Sequence, residues 1–290
     1  MKRILFILTS LYIGILAAQA ANIPHLLPWP QKVAWNGKKF QYRGTFVSLT
    51  ENFCSIGMEQ PAGNKITGNP SSHPALSVKW VEDFPDIPLN RNEAYKLRVT
   101  SKGVEIEAIT ETGVYRAIQT LRQLTEKKGN GIAITGCEIT DWPAFRIRGF
   151  MQDVGRTYIS TDELKREIAI LARYKINVFH WHLTENQAWR LQSKVFPMLN
   201  DSVNTTRQPG KYYTLEEARE LAAFCKQHHV LLIPEIDMPG HSAAFVRTFR
   251  HDMQSPEGMK ILKLLIDEVC ETFDVCLLYT SDAADDLIGV

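Results

Sequence analysis

The sequence predicts an α/β chain in two parts: a small α+β domain, then about three β/α units of a parallel sheet. Three observations predict it. Residues 22–143 carry short alternating segments around one amphipathic helix, and after Asp141-Trp142-Pro143 the pattern turns to strand, helix, strand, helix. The chain is also large enough for a buried core, with 290 residues and 44% hydrophobic content, a length that suggests roughly two domains. Its 33 basic and 32 acidic residues leave a net charge of +1. That balance argues against nucleic acid or an anionic membrane as the main partner.

The first residues read as a leader. Lys2 and Arg3 form a basic start, Ile4 to Ala18 is apolar apart from Thr9, Ser10 and Gly14, and Ala18-Gln19-Ala20 fits a small-x-small cleavage site. A membrane anchor is the competing reading, but the run is short of the roughly 20 residues a span needs. Residues 1–20 are therefore expected to be a signal peptide. The mature protein is then exported, periplasmic or secreted, with no stable membrane anchor after cleavage. Five cysteines, Cys54, Cys137, Cys225, Cys270 and Cys276, form no CxxC pair. A zinc site is not indicated. Export permits a disulfide, but spacing does not choose its partners.

In the first part, Tyr95 to Val99 and Val104 to Ala108 each alternate as half-buried strands do, and Lys102-Gly103 between them suggests a hairpin. Thr112 to Glu126 reads as a helix with Val114, Ala117, Ile118, Leu121 and Leu124 on its apolar face.

In the second part, Arg146 to Val154 is the first expected strand. Ser160-Thr161-Asp162-Glu163 is a capping box opening a helix lined by Leu164, Ile168 and Leu171. Val178 to Leu183 is the second strand. A second box, Thr214-Leu215-Glu216-Glu217, opens a helix lined by Ala218, Leu221, Ala222 and Cys225, where Cys225 reads as core packing. Val230 to Pro234 is apolar throughout, as a parallel strand covered on both faces is. Ser255-Pro256 starts a third helix, with Leu262, Leu265, Ile266 and Val269 as its stripe. Such alternation fits a barrel or an open doubly wound sheet. The first strand is not followed by a Gly-rich phosphate loop, which counts against a nucleotide-binding open sheet. A closed barrel needs about 250 residues, and the chain offers about half that from Arg146 onward.

Polar residues crowd the end of each expected strand, and binding residues concentrate on such loops. The first cluster runs from Arg148 to Arg156 and includes Asp153. Arg148 there could present a fork of donors to sugar hydroxyls or serve an internal Arg–Asp pair. The second is His180-Trp181-His182-Leu183-Thr184-Glu185-Asn186-Gln187-Ala188-Trp189-Arg190. His180 and His182 share one strand face and could bind metal or be hydrogen-bonded core histidines. The two Trp side chains suit a sugar site, with apolar faces and polar edges. The third, Pro234-Glu235-Ile236-Asp237-Met238-Pro239-Gly240-His241, ends an apolar strand with two carboxylates and a His.

In this order and spacing the three clusters resemble glycoside hydrolase family 20, the β-N-acetylhexosaminidases, from about residue 22 to about residue 274. Glu111 to Ala117 and Thr120 to Leu124 look like that family's accessory domain. The resemblance implies an incomplete TIM (β/α)8 barrel, with residues 144–274 its N-terminal half and residues 22–143 the accessory domain. It implies removal of terminal β-linked N-acetylglucosamine or N-acetylgalactosamine from glycans, with no cofactor and no metal. By the same resemblance Arg148 holds hydroxyls of the terminal sugar, with His182 and Trp189 completing the sugar-binding set. Glu185, where the family commonly has Asp, and His241 join the network supporting the catalytic acid. Asn186 sits where a second acid is frequent.

The implied mechanism is substrate-assisted and retaining, the family's known departure from the two-carboxylate scheme. The substrate's acetamide oxygen attacks the anomeric carbon, an Asp orients the acetamide, and the adjacent Glu protonates the leaving oxygen and then activates water. That Asp-Glu pair ends the family's fourth strand and is not found here. After Asp274 the chain reads Val275-Cys276-Leu277-Leu278-Tyr279-Thr280-Ser281-Asp282-Ala283-Ala284-Asp285-Asp286. Cys276 to Asp285 matches, residue for residue, the adapter-like reading TGT CTC TTA TAC ACA TCT GAC GCT GCC GAC. Residues 275–290 are accordingly expected to be a non-native tail and the fragment to be inactive. Two other readings stand beside this one: a metal-dependent hydrolase using His180, His182 and His241, and a non-catalytic sugar-binding protein.

Overall fold

The computed structural model describes residues 24–54 and 75–273. The leader and the tail of the sequence reading lie outside these residues, as does the side chain of Cys54. The chain separates into two units that meet at Ala144 and Phe145. No helix among the described residues is long and apolar enough to cross a membrane.

The first unit contains β1 (Lys32–Tyr42), α1 (Phe46–Cys54), β2 (Leu76–Trp80), β3 (Tyr95–Thr100), β4 (Gly103–Ala108), α2 (Glu111–Gln123), β5 (Thr125–Lys128) and β6 (Gly131–Asp141). They make a six-stranded sheet in the order β1-β6-β3-β4-β2, with β5 on β6. The hairpin expected at Lys102-Gly103 is present, with Tyr95 opposite Ala108 and Val99 opposite Val104. The alternation puts Leu97, Val99, Val104 and Ile106 into the core, against Val114, Ile118 and Leu121 of α2. Removing a buried leucine such as Leu121 from a core of this kind costs about 2–5 kcal/mol. Thr110 caps α2 by accepting from the Gly113 N–H at 3.3 Å. Asp141 ends β6 inside the unit. Its carboxylate accepts from the Tyr95 hydroxyl at 2.9 Å and from the Gln31 N–H at 3.1 Å.

The second unit contains β7 (Gly149–Asp153), α3 (Thr161–Arg173), β8 (Val178–His182), α4 (Leu215–Gln227), β9 (Leu231–Glu235), α5 (Ala243–Phe249) and α6 (Pro256–Thr272). The three strands are parallel, in the order β7-β8-β9. The fold is thus α/β with three consecutive β/α units behind an α+β domain. Both capping boxes form, Ser160 with Glu163 and Thr214 with Glu217. Leu164 and Ile168 of α3, Leu221 and Cys225 of α4, and Leu265 and Val269 of α6 are buried. Burial pushes the thiols of Cys225 and Cys137 up to about 12, so neither is a ready nucleophile.

The register aligns Asp153 with His182 and His182 with Glu235, so the last residues of all three strands stand in one row. The sequence placed the start of the first strand at Arg146, and the structure starts β7 at Gly149. The Asn177 side chain explains the difference. Its oxygen accepts from the Arg148 N–H and its amide donates to the Arg146 carbonyl, both at 2.8 Å. A side chain thus takes up backbone groups that a strand ladder would otherwise use. The short helix α5 went unpredicted.

Candidate active site

The loops leaving β7, β8 and β9 bring Asp153, Arg156, Glu185, Asp237 and His241 together. Arg156 is anchored first by its own loop. Its N–H donates to Asp153 Oδ1 at 2.9 Å and its Nη1 to Asp153 Oδ2 at 2.7 Å. Its Nη2 then contacts Glu185 Oε1, which also receives Nδ1 of His241. Glu185 is buried, 1% exposed, whereas Arg156 keeps 48% of its side chain open. A buried carboxylate is tolerable only with partners of this kind. The Glu185 hydrogen bond is the main cause that holds the His241 imidazole above its ordinary value; burial opposes it, the Glu185 and Asp237 charges assist, and the Arg156 charge opposes. Asp237 Oδ2 lies 3.9 Å from His241 Nδ1, and its N–H is fixed to Thr184 Oγ1 at 2.9 Å.

A second cluster sits on the strands themselves. His180 and His182 alternate with the buried Phe179 and Trp181, and both histidines reach one carboxylate. His180 Nε2 is 2.5 Å and His182 Nδ1 2.8 Å from Glu235 Oε2. Burial disfavours charge on His182, but the Glu235 hydrogen bond and charge outweigh it and raise its pKa. Asn186 ties the loops together: its side-chain oxygen accepts from the Ala243 N–H at 3.1 Å, at the start of α5.

The strand ends match the geometry of a β/α enzyme site, and comparison with known proteins identifies the family. Residues 145–281 match the model described as "Glycosyl hydrolase family 20, catalytic domain", and residues 24–142 match "Glycosyl hydrolase family 20, domain 2". The chain belongs to glycosyl hydrolase family 20. The family 20 match continues to residue 281, past Asp274, where the sequence reading ends the resemblance. A beta-hexosaminidase of Porphyromonas gingivalis is 36% identical over 245 residues, covering 79% of this chain and 30% of that protein. One from Vibrio furnissii is 38% identical over 168 residues, covering 53% of this chain and 28% of that protein. The chain therefore spans under a third of these two relatives. Among solved structures, the Flavobacterium johnsoniae chitobiase aligns with a TM-score of 0.74 at 28% identity, over 91% of this chain and 45% of that one.

Within this family 20 chain, the structure brings together Glu185 and His241, with His182 on the adjoining strand. It does not bring Arg148 to them. Arg148 precedes β7, at the opposite end of the strand, and its guanidinium donates to the carbonyls of Lys175 at 2.7 Å and Phe145 at 2.9 Å. The arginine that the structure brings to Glu185 and His241 is Arg156. The signal for it was in the sequence: Arg156 follows the strand, and barrel sites form at C-terminal strand ends. The structure buries both tryptophans. Trp189 is 3% exposed because its loop folds back in a bridge to Thr184. Trp181 is fully buried, edge-on to Tyr213 at 4.7 Å. His180, His182 and His241 do not converge either, since the first two share Glu235 and the third faces Glu185. Among the described residues, no three His, Cys, Asp or Glu side chains group to hold a metal ion.

Proposed function

We propose that this chain is the sugar-holding portion of a β-N-acetylhexosaminidase that removes terminal β-linked N-acetylglucosamine or N-acetylgalactosamine from glycans. The observation that carries the reading is the Arg156–Glu185–His241 network at the ends of consecutive parallel strands. The names of the relatives support it: each of the two curated proteins above is a beta-hexosaminidase, and a Vibrio harveyi family 20 enzyme has been solved in complex with N-acetylglucosamine.

In this reading the half-open Arg156 guanidinium donates to hydroxyls of the terminal sugar, its charge balanced by Asp153 and Glu185. His182 donates or accepts through Nε2, which has no protein hydrogen-bond partner among the described residues. The charged His241–Glu185 pair steadies the catalytic acid. The acid and the acetamide-orienting Asp belong to the strand that would follow Asp274. The acetamide oxygen attacks the anomeric carbon as the acid protonates the leaving oxygen, and water completes a retaining hydrolysis. The 290-residue chain alone is inactive for want of that pair. The leader is read as an export signal, with a periplasmic or secreted mature protein.

The test uses a chromogenic N-acetylglucosaminide. The full-length protein, with the rest of the barrel restored, should hydrolyse it, keep doing so in a chelator, and lose activity on Arg156→Met, while the 290-residue chain should not turn over. Turnover by the 290-residue chain, or a full-length protein that binds the sugar without cleaving it, would sink the reading.

A further inference from the structure

The loop after β7 meets the loop after β8 at Gly155, and the contact is closer than any side chain allows. A Cβ built on Gly155 would stand 2.7 Å from Glu185 Cβ, 3.1 Å from the Thr184 carbonyl carbon and 3.2 Å from Glu185 Cγ. Carbon atoms pack best at about 3.5–4.0 Å. The backbone at Gly155 is not left-handed, so glycine is needed there for space and not for its φ.

Neither loop can retreat. On one side, the Val154 and Gly155 N–H groups both donate to the His182 carbonyl, at 3.0 and 3.3 Å, and the Val154 carbonyl accepts from buried Arg190 Nε at 3.0 Å. On the other, the Glu185 N–H donates to the Ala188 carbonyl at 2.9 Å, and Thr184 Oγ1 accepts from the Asp237 N–H at 2.9 Å. The atoms in the way are the stem of Glu185 and the backbone of Thr184, not a mobile tip.

We infer that Gly155 is a positioning residue: its missing side chain lets the Glu185 stem lie against the β7 loop, so that one carboxylate reaches both Arg156 and His241. An added methyl would push the two loops apart. Arg156 would stay with Asp153, its partner on the same loop, and the Glu185 carboxylate would lose Arg156, His241 or both. The inference concerns loop geometry and does not depend on the hydrolase reading.

The test is a ring-nitrogen NMR titration of the histidines in the full chain, with His241 assigned by its loss in His241→Gln. Glu185, Asp237 and Arg156 are the charged groups that act on His241. Gly155→Ala should move the His241 midpoint down toward the ordinary imidazole value. Gly149→Ala is the control, since a Cβ there meets nothing nearer than 3.8 Å, and it should leave the midpoint alone. An unmoved midpoint in folded Gly155→Ala, or an equal shift in Gly149→Ala, overturns the inference. If Gly155→Ala does not fold, the double variant Gly155→Ala/Glu185→Gly should, because it removes the obstructing stem. Failure of that rescue overturns it too.

Discussion

Arg148 and Arg156 flank the same short strand, and the molecule treats them in opposite ways. Arg148, at the start, donates to backbone carbonyls of Lys175 and Phe145. Arg156, at the end, faces the carboxylates of Asp153 and Glu185 and remains half open. A guanidinium among carbonyls stitches chain segments together. One among carboxylates, on loops and near water, is held as a charge that a polar ligand can share. The difference teaches that residue type does not set an arginine's surroundings here. Which end of the strand it occupies does.

A third arginine tests that rule most severely. Arg190 is fully buried and donates to the carbonyls of Val154 at 3.0 Å, Lys211 at 2.7 Å and Arg207 at 2.9 Å. Burial lowers its pKa, the expected sign for a cation held by neutral partners. Arg190→Met should destabilise the second unit by about 3–5 kcal/mol in urea unfolding, because buried carbonyls lose charged donors. A loss below about 1 kcal/mol would break the stitch interpretation.

The next effect sharpens the comparison through pH. His182 has a folded pKa above its unfolded one, held there against burial by Glu235. Its contribution to stability is therefore complete below the unfolded value of about 6.5 and disappears as pH rises through the folded value. Glu235→Gln should cost about 2–3 kcal/mol at low pH, and the gap from wild type should close on the alkaline side. Unfolding curves at several pH values measure it; a gap that widens with pH would contradict the assignment of charge to this pair.

The smallest stability effect belongs to the residue proposed to hold the sugar. Arg156→Met should change unfolding free energy by only about 1 kcal/mol, because the guanidinium is half open and buried Glu185 keeps His241 and the Asn186 N–H, yet abolish N-acetylglucosamine binding in calorimetry. Arg148→Met should do the reverse, lowering stability by about 1–2 kcal/mol and leaving sugar affinity in place. Loss of affinity in Arg148→Met would return the sugar contact to the residue the sequence first suggested.

Features carried by neighbours in sequence were legible beforehand. The boxes at Ser160 and Thr214 are four-residue signals, and both form. The β3–β4 hairpin follows from alternation across one turn. What could not be read depends on distant partners. The start of β7 is set by Asn177, 29 residues away from Arg148. The burial of Trp189 depends on a loop folding back to Thr184. Strand β1 hides its alternation behind a register shift between Trp35 and Lys39. In the site, residues on a strand end were visible as clusters, but the sharing of Glu185 by Arg156 and His241 joins three separate loops, and no spacing rule reaches that far.

The row formed by Asp153, His182 and Glu235 has a consequence for folding fidelity. These residues are neighbours because the strands pair in one particular step. Slipping β9 by one residue would set Pro234 or Ile236 opposite His182 and turn Glu235 to the other face. The histidine would then be buried beside no carboxylate, and the loop carrying Asp237 and His241 would be carried out of line with Glu185. Correct pairing and a working site are thus the same event, and the row acts as a checksum on the sheet. A chain folded out of step would have no weakened site; it would have none.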